Sequence, residues 1–211
     1  MSQNFDGRRP RPRIEGLADL VFGLSLSLGS LSLVISLPNS VSELDNHILA
    51  FVFTFFFLIT VWISYTGSMS VLPAETTLVL GLNIILLLLV AIVPFLLNVV
   101  ALGNPSLTAA ENILIRNHAS TLFAIDLSGL WLILALFYHI LGQEKAKLVA
   151  QDLLRVYRNR RNMMFILVGI MLLSTAPIFL AYTILGYPAK FYIWYVPIII
   201  FWARRLTNFR W

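Results

Sequence analysis

The sequence predicts an all-α integral membrane protein of six transmembrane helices, and three observations carry that expectation. Composition is the first: 59% of the residues are apolar and 12% charged, with a mean hydropathy of +0.85, whereas soluble domains carry about 25% charged residues. The second is run length. The apolar stretches last about 20 residues or more, which suits a helix crossing a bilayer, where the strands of a membrane barrel would alternate over about 10. The third is charge placement, since six spans put 13 of the 15 basic residues on one side of the membrane.

The first span covers about 16 to 37 and is entered through Arg13 and Asp19. Its centre, Gly23 to Leu33, alternates leucine with serine or glycine. A lipid anchor would need no serines, because each hydroxyl in hydrocarbon must find a hydrogen-bond partner. On a helical wheel Gly16, Gly23, Ser27 and Ser30 share one face, and Ser25, Gly29, Ser32 and Ser36 share the opposite one. Between them runs a stripe of Leu17, Val21, Leu24, Leu28, Leu31 and Ile35. The small flanks are built for close helix approach and for interhelical hydrogen bonds from the serines.

The remaining spans follow at about 47 to 68, 77 to 102, 119 to 141, 163 to 186 and 190 to 203, with turn chemistry between them. The breaks are Pro38-Asn39-Ser40, Leu72-Pro73-Ala74-Glu75, Gly103-Asn104-Pro105, Gly142-Gln143-Glu144 and Gly186-Tyr187-Pro188, the last closing a tight hairpin. The third span holds Asn83 and Asn98 as interhelical glue, and Pro94, Pro177 and Pro197 read as kinks. Asp126 lies inside the fourth span beside Ser128 and Gly129. An acid at that depth marks either a proton or ion path or a hydrogen-bonded packing position.

Six spans place Arg8, Arg9, Arg11, Arg13, Lys145, Lys147, Arg155, Arg158, Arg160, Arg161, Arg204, Arg205 and Arg210 on one side, and leave Arg116 and Lys190 on the other. Cytoplasmic loops carry this excess, so both termini are expected in the cytoplasm of a multi-pass cell-membrane protein. The expected organisation is a basic segment 1–15, a six-helix domain 16–203 and a basic tail 204–211. The net charge of +5 then serves orientation and contact with anionic lipids, not nucleic acid. Residues 143 to 162 intersperse six cations with Leu148, Val149, Leu153, Leu154 and Tyr157, which suits an interfacial helix or a cytoplasmic extension of the fifth span.

Enzyme chemistry finds little support. There is no cysteine, and His47, His118 and His139 lie near span ends with no metal-ligand spacing on one helix face. No nucleophile elbow, phosphate loop or dinucleotide fingerprint occurs. Neither a cofactor nor a metal is expected.

The segment Arg13-Ile14-Glu15-Gly16-Leu17-Ala18-Asp19 resembles the first-helix signature Arg-x-x-x-Phe-Ser-Asp of the transmembrane-protein-175 potassium channels, with Leu17 and Ala18 at the Phe and Ser positions. Trp62 with Tyr65 resembles a Trp-x-x-His pattern of the second helix, and Leu82-Asn83 with Pro94-Phe95 resembles the third. With one signature and one six-helix unit, the chain is similar to prokaryotic single-unit members. The resemblance implies a homotetramer whose first helices surround a pore for potassium. It implies that Leu24, Leu28 and Leu31 form the constriction or gate, and that Ser27 contacts the ion. It further implies that Arg13, Asp19, Trp62, Tyr65 and Asn83 belong to a structural polar network. Arg13 and Asp19 stand about 120° apart on the wheel, so they are expected to reach different helices. Partners would be copies of the chain, membrane lipids and monovalent cations. The rival expectations are a proton-coupled or small-solute transporter using Asp126 and a membrane scaffold that does not conduct.

Overall fold

The computed structural model describes residues 13–35, 38, 40–72, 76–102, 107–143, 148, 150–184 and 187–207. Segments 1–12 and 208–211 of the two basic tails lie outside the described residues, as do Ser36 and the side chains of Arg13, Ser32 and Ile35.

Seven helices and one minimal hairpin are present among the described residues: α1 Arg13–Ile35, α2 Val41–Met69, α3 Thr77–Leu102, α4 Ala109–Leu141, α5 Gln151–Leu173, α6 Pro177–Ala181, β1 Thr183–Ile184, β2 Tyr187–Pro188 and α7 Ala189–Thr207. Of these, α2, α3 and α4 are long and apolar enough to cross a membrane, and Gly16–Leu31 of α1 is a shorter apolar helix. Two helices begin earlier than their apolar runs because polar residues cap them. Ser40 accepts the Glu43 N–H at the start of α2. Thr108 and Glu111 form a reciprocal capping box at the start of α4.

Helix α4 is the centre of the bundle, packing on α5, α3 and α2. It buries Phe123, Leu127, Trp131, Leu134 and Tyr138, and the Tyr138 hydroxyl donates to the Ser64 carbonyl of α2 at 3.2 Å. The α3–α4 approach is tightest at Gly129, where a β-carbon would stand 2.9 Å from a Leu89 methyl. Aromatic rings from three helices close the core, with Phe123 of α4 4.8 Å edge-on to Trp194 of α7 and 6.2 Å from Phe53 of α2.

The fifth apolar run differs from the expected span. Its helix starts at Gln151, so the basic stretch is a direct extension of it, and ends at Leu173. Pro177 has no N–H to continue the ladder and its ring clashes with the carbonyl four residues back, so the helix stops before it. A turn over Ser174–Ala176 follows, and Pro177 opens α6 as its first residue and is not a kink. The apolar part of α5, from Met163 to Leu173, rises only about 16 Å. The rest of the run folds into α6 and the β1–β2 hairpin.

The arginines of α5 and α7 gather at the end of the bundle where α4 finishes. Arg158 donates to the Gly142 carbonyl at 3.2 Å, Arg160 lies 5.9 Å over the Tyr138 ring, and Arg204 meets the Met163 sulfur at 3.0 Å. Lys190 sits in the first turn of α7 and Arg116 about two turns into α4, at the opposite end.

Candidate functional site

The two small-residue flanks of α1 have opposite fates. Ala18, Phe22, Ser25 and Gly29 are buried, in the i, i+4, i+7, i+11 pattern of one helix face. A β-carbon on Gly29 would lie 3.6 Å from the Thr54 methyl of α2, an ordinary van der Waals contact, so this face packs against α2. The other flank is left open: Gly16 and Gly23 would meet nothing within 4 Å, and Ser27 and Ser30 are exposed.

The leucine stripe lies on this same open side. Leu24 is 61% exposed, Leu28 44% and Leu31 48%, with Leu17 and Leu20 continuing the exposed row toward the start of the helix. Val21 is half-buried, so the stripe is widest at one edge. Such a face has no hydrogen-bonding hunger and can meet lipid, another chain or a narrow water column.

The described serines of α1 satisfy themselves locally. Ser25 donates to the Val21 carbonyl at 2.9 Å, Ser27 to Gly23 at 2.9 Å and Ser30 to Ser27 at 2.8 Å. A serine in a helix reaches the carbonyl one turn back without moving the backbone. The interhelical serine bonds expected from the wheel are therefore replaced by bonds within α1. Small size does the work of close packing, while each hydroxyl oxygen keeps acceptor capacity.

Of the expected polar network, the structure joins Asp19 to α2: the Trp62 indole N–H donates to Asp19 Oδ1 at 2.9 Å. Tyr65 is 1% exposed and sits between aromatic rings, 5.9 Å from Phe22 and 6.5 Å from Phe137. Phe22, which lies beyond the signature, and Ala18, which stands at its Ser position, are both buried. Their i, i+4 spacing was the available signal. Asn83 is buried, and its Oδ1 has no hydrogen-bond partner among the described residues. We expect Asp19→Asn and Trp62→Phe to couple by about 1 kcal/mol in a double-mutant cycle of detergent-solubilised stability. Additivity would mean that the α1–α2 bond contributes nothing.

Asp126 is 5% exposed, and neither carboxylate oxygen has a hydrogen-bond partner among the described residues. No group among the described residues compensates a negative charge there. No group of His, Asp and Glu suited to a metal ion occurs among the described residues. His139 instead contacts Gln143 at 3.2 Å and Arg161 at 3.3 Å, joining the end of α4 to the middle of α5.

Two comparisons bear on this helix. Residues 13–94, which hold α1, α2 and most of α3, match the family described as endosomal/lysosomal potassium channel TMEM175. The crystal structure of a lysosomal potassium-selective channel TMEM175 homolog from Chamaesiphon minutus is similar over 91% of this chain and 96% of that chain, with a TM-score of 0.61 and 18% identity. The likeness extends the shared fold past the matched residues to nearly the whole chain. No curated protein matches the chain in sequence.

Proposed function

We propose that the chain, whose residues 13–94 match the model of the TMEM175 potassium channel family, is a passive, potassium-permeable channel whose pore is lined by α1 in a homotetramer. The open face of α1 carries the reading. Leu24, Leu28 and Leu31 stand exposed beside Ser27, with a small-residue edge of Gly16, Gly23 and Ser30 alongside. Four copies would bring the leucines into rings that close a water column by occlusion or dewetting, and the Ser27 oxygens into a ring that partly replaces ion hydration. The small edge would let neighbouring chains approach.

In this reading Asp19 and Trp62 brace the entry end of α1, with Arg13, Tyr65 and Asn83 as further members of that region. The cation-rich end lies in the cytoplasm of a cell membrane, the whole 16–203 region works as one channel domain, and no cofactor takes part. One observation favours a second reading: the buried, uncompensated Asp126 carboxyl is where a proton-coupled transporter would carry its proton.

Purified protein in liposomes separates the two. Potassium efflux that persists without a proton gradient, and is unchanged by Asp126→Asn, is the expected result. Efflux that needs the gradient and is lost in Asp126→Asn would replace the channel with the transporter. Absence of flux under every gradient would leave a scaffold.

A further inference from the structure

A cavity of about 250 Å³ opens at the end of the bundle away from the arginines of α5 and α7, between the start of α2, the finish of α3 and the starts of α4 and α7. Asn46, Phe53, Arg116, Phe191, Trp194 and Tyr195 line it, together with aliphatic side chains of α2 and α3. Its wall is thus aromatic and apolar, with one permanent cation.

That cation has no counter-charge among the described residues. Arg116 spends its Nε–H on the Val100 carbonyl at 2.8 Å, capping the last turn of α3. Among the described residues its two terminal nitrogens carry no bond. A second cation stands close by: Lys190 is 3% exposed, its ammonium held by the Ser120 hydroxyl and 5.5 Å from the ring of cavity-lining Phe191. The charges of Arg116 and Lys190 act on one another, and neither forms an ion pair with a carboxylate among the described residues. Two like charges, one in the cavity wall and one beside it, with no anion from the described residues, are a standing repulsion that an anionic ligand would relieve.

The cavity selects among anions. A free phosphate would use the guanidinium and leave the aromatic interior empty. About eight water-sized volumes, at about 30 Å³ each, match a segment of hydrocarbon chain and not a whole lipid. Helix ends carrying Trp and Tyr mark the depth at which headgroups meet acyl chains. We infer that the cavity holds an anionic phospholipid, with its phosphate on the free edge of the Arg116 guanidinium and part of one acyl chain among Phe53, Trp194 and Tyr195.

The probe is phosphatidylglycerol with brominated acyl chains, which quenches tryptophan at contact, compared with brominated phosphatidylcholine at equal mole fraction in vesicles holding the full chain. Phosphatidylglycerol is expected to quench more strongly, and the excess is expected to disappear in Trp194→Phe. Arg116→Gln should weaken the apparent affinity for phosphatidylglycerol about fivefold, the worth of one basic contact to an anionic lipid, and Arg116→Lys should recover most of it. Equal quenching by the two lipids would overturn the inference, as would an excess untouched by Trp194→Phe. Displacement by inorganic phosphate would make the site one for soluble anions. Failure of either lipid to quench Trp194 would mean that a second chain covers the cavity. The Trp194→Phe comparison keeps Arg116 intact, so it decides the matter even where Arg116→Gln disturbs the end of α3, and no arm depends on ion flux.

Discussion

Replacing Leu28 by asparagine is expected to raise potassium flux through reconstituted protein by at least about tenfold, the change that follows from lowering a barrier by about 1.4 kcal/mol. The physical reason lies in the side chain's surroundings. Leu28 is exposed on the uncovered face of α1, between Leu24 and Leu31 and next to Ser27. If four such leucines ring a pore, an ion passing them gives up hydration and receives no polar contact in exchange, which is the basis of a dewetting gate. Four amides would hold water and remove that barrier. The same position offers a blocking experiment, because the chain contains no cysteine. Leu28→Cys gives a unique thiol, and a bulky thiol reagent applied to conducting protein should abolish the flux. Ile166→Cys on α5, exposed but far along the chain from the proposed pore, should react without changing it. Flux unaltered in Leu28→Asn, in protein of unchanged oligomeric mass, would remove Leu28 from the conduction path.

The largest stability effect is expected at Trp131→Ala, at about 3–5 kcal/mol. Trp131 is fully buried at the centre of α4 and stands edge-on to Phe57 of α2, with ring centroids 5.8 Å apart. Hydrocarbon outside the bundle is as apolar as its interior, so the loss is one of packing contacts and not of water exclusion. The indole N–H of Trp131 has no hydrogen-bond partner among the described residues. Trp131→Phe therefore sacrifices no bond and should cost much less than the alanine. Thermal unfolding in detergent, read by loss of the monodisperse peak, orders the three proteins. An alanine variant as stable as the parent would mean that α2 and α4 do not pack through this residue.

Much of the fold was legible because the forces that set it are local or averaged over long runs. The limits of α3 and α7 follow from apolar length, and the separation of Arg116 and Lys190 from the arginines of α5 and α7 follows from counting spans. The early starts of α2 and α4 escaped that reading, since the capping turns around Ser40 and Thr108 are polar and belong to no apolar run. The break after Leu173 escaped it too. A proline in an apolar run reads as a kink, whereas Pro177 begins a separate helix, and which of the two occurs depends on whether a neighbouring element supports the carbonyls freed upstream. The Ser174 hydroxyl, bonded by the Trp194 indole N–H of α7 at 3.1 Å, is part of that support.

At the site, the wheel distinguished two small flanks and a leucine stripe but was symmetric between the flanks. The sequence by itself determined the membrane class, the helical character, the partition of charge and the composition of each face of α1, because periodicity and composition depend on the chain alone. Only the tertiary structure decided that Ser25 and Gly29 are buried, Gly29 against α2, while Leu24, Ser27, Leu28 and Leu31 stay uncovered. That choice rests on which α1 face fits the surface offered by Thr54, Tyr65 and their neighbours. Complementarity between two helices is a property of both surfaces at once, and neither helix's own pattern contains it.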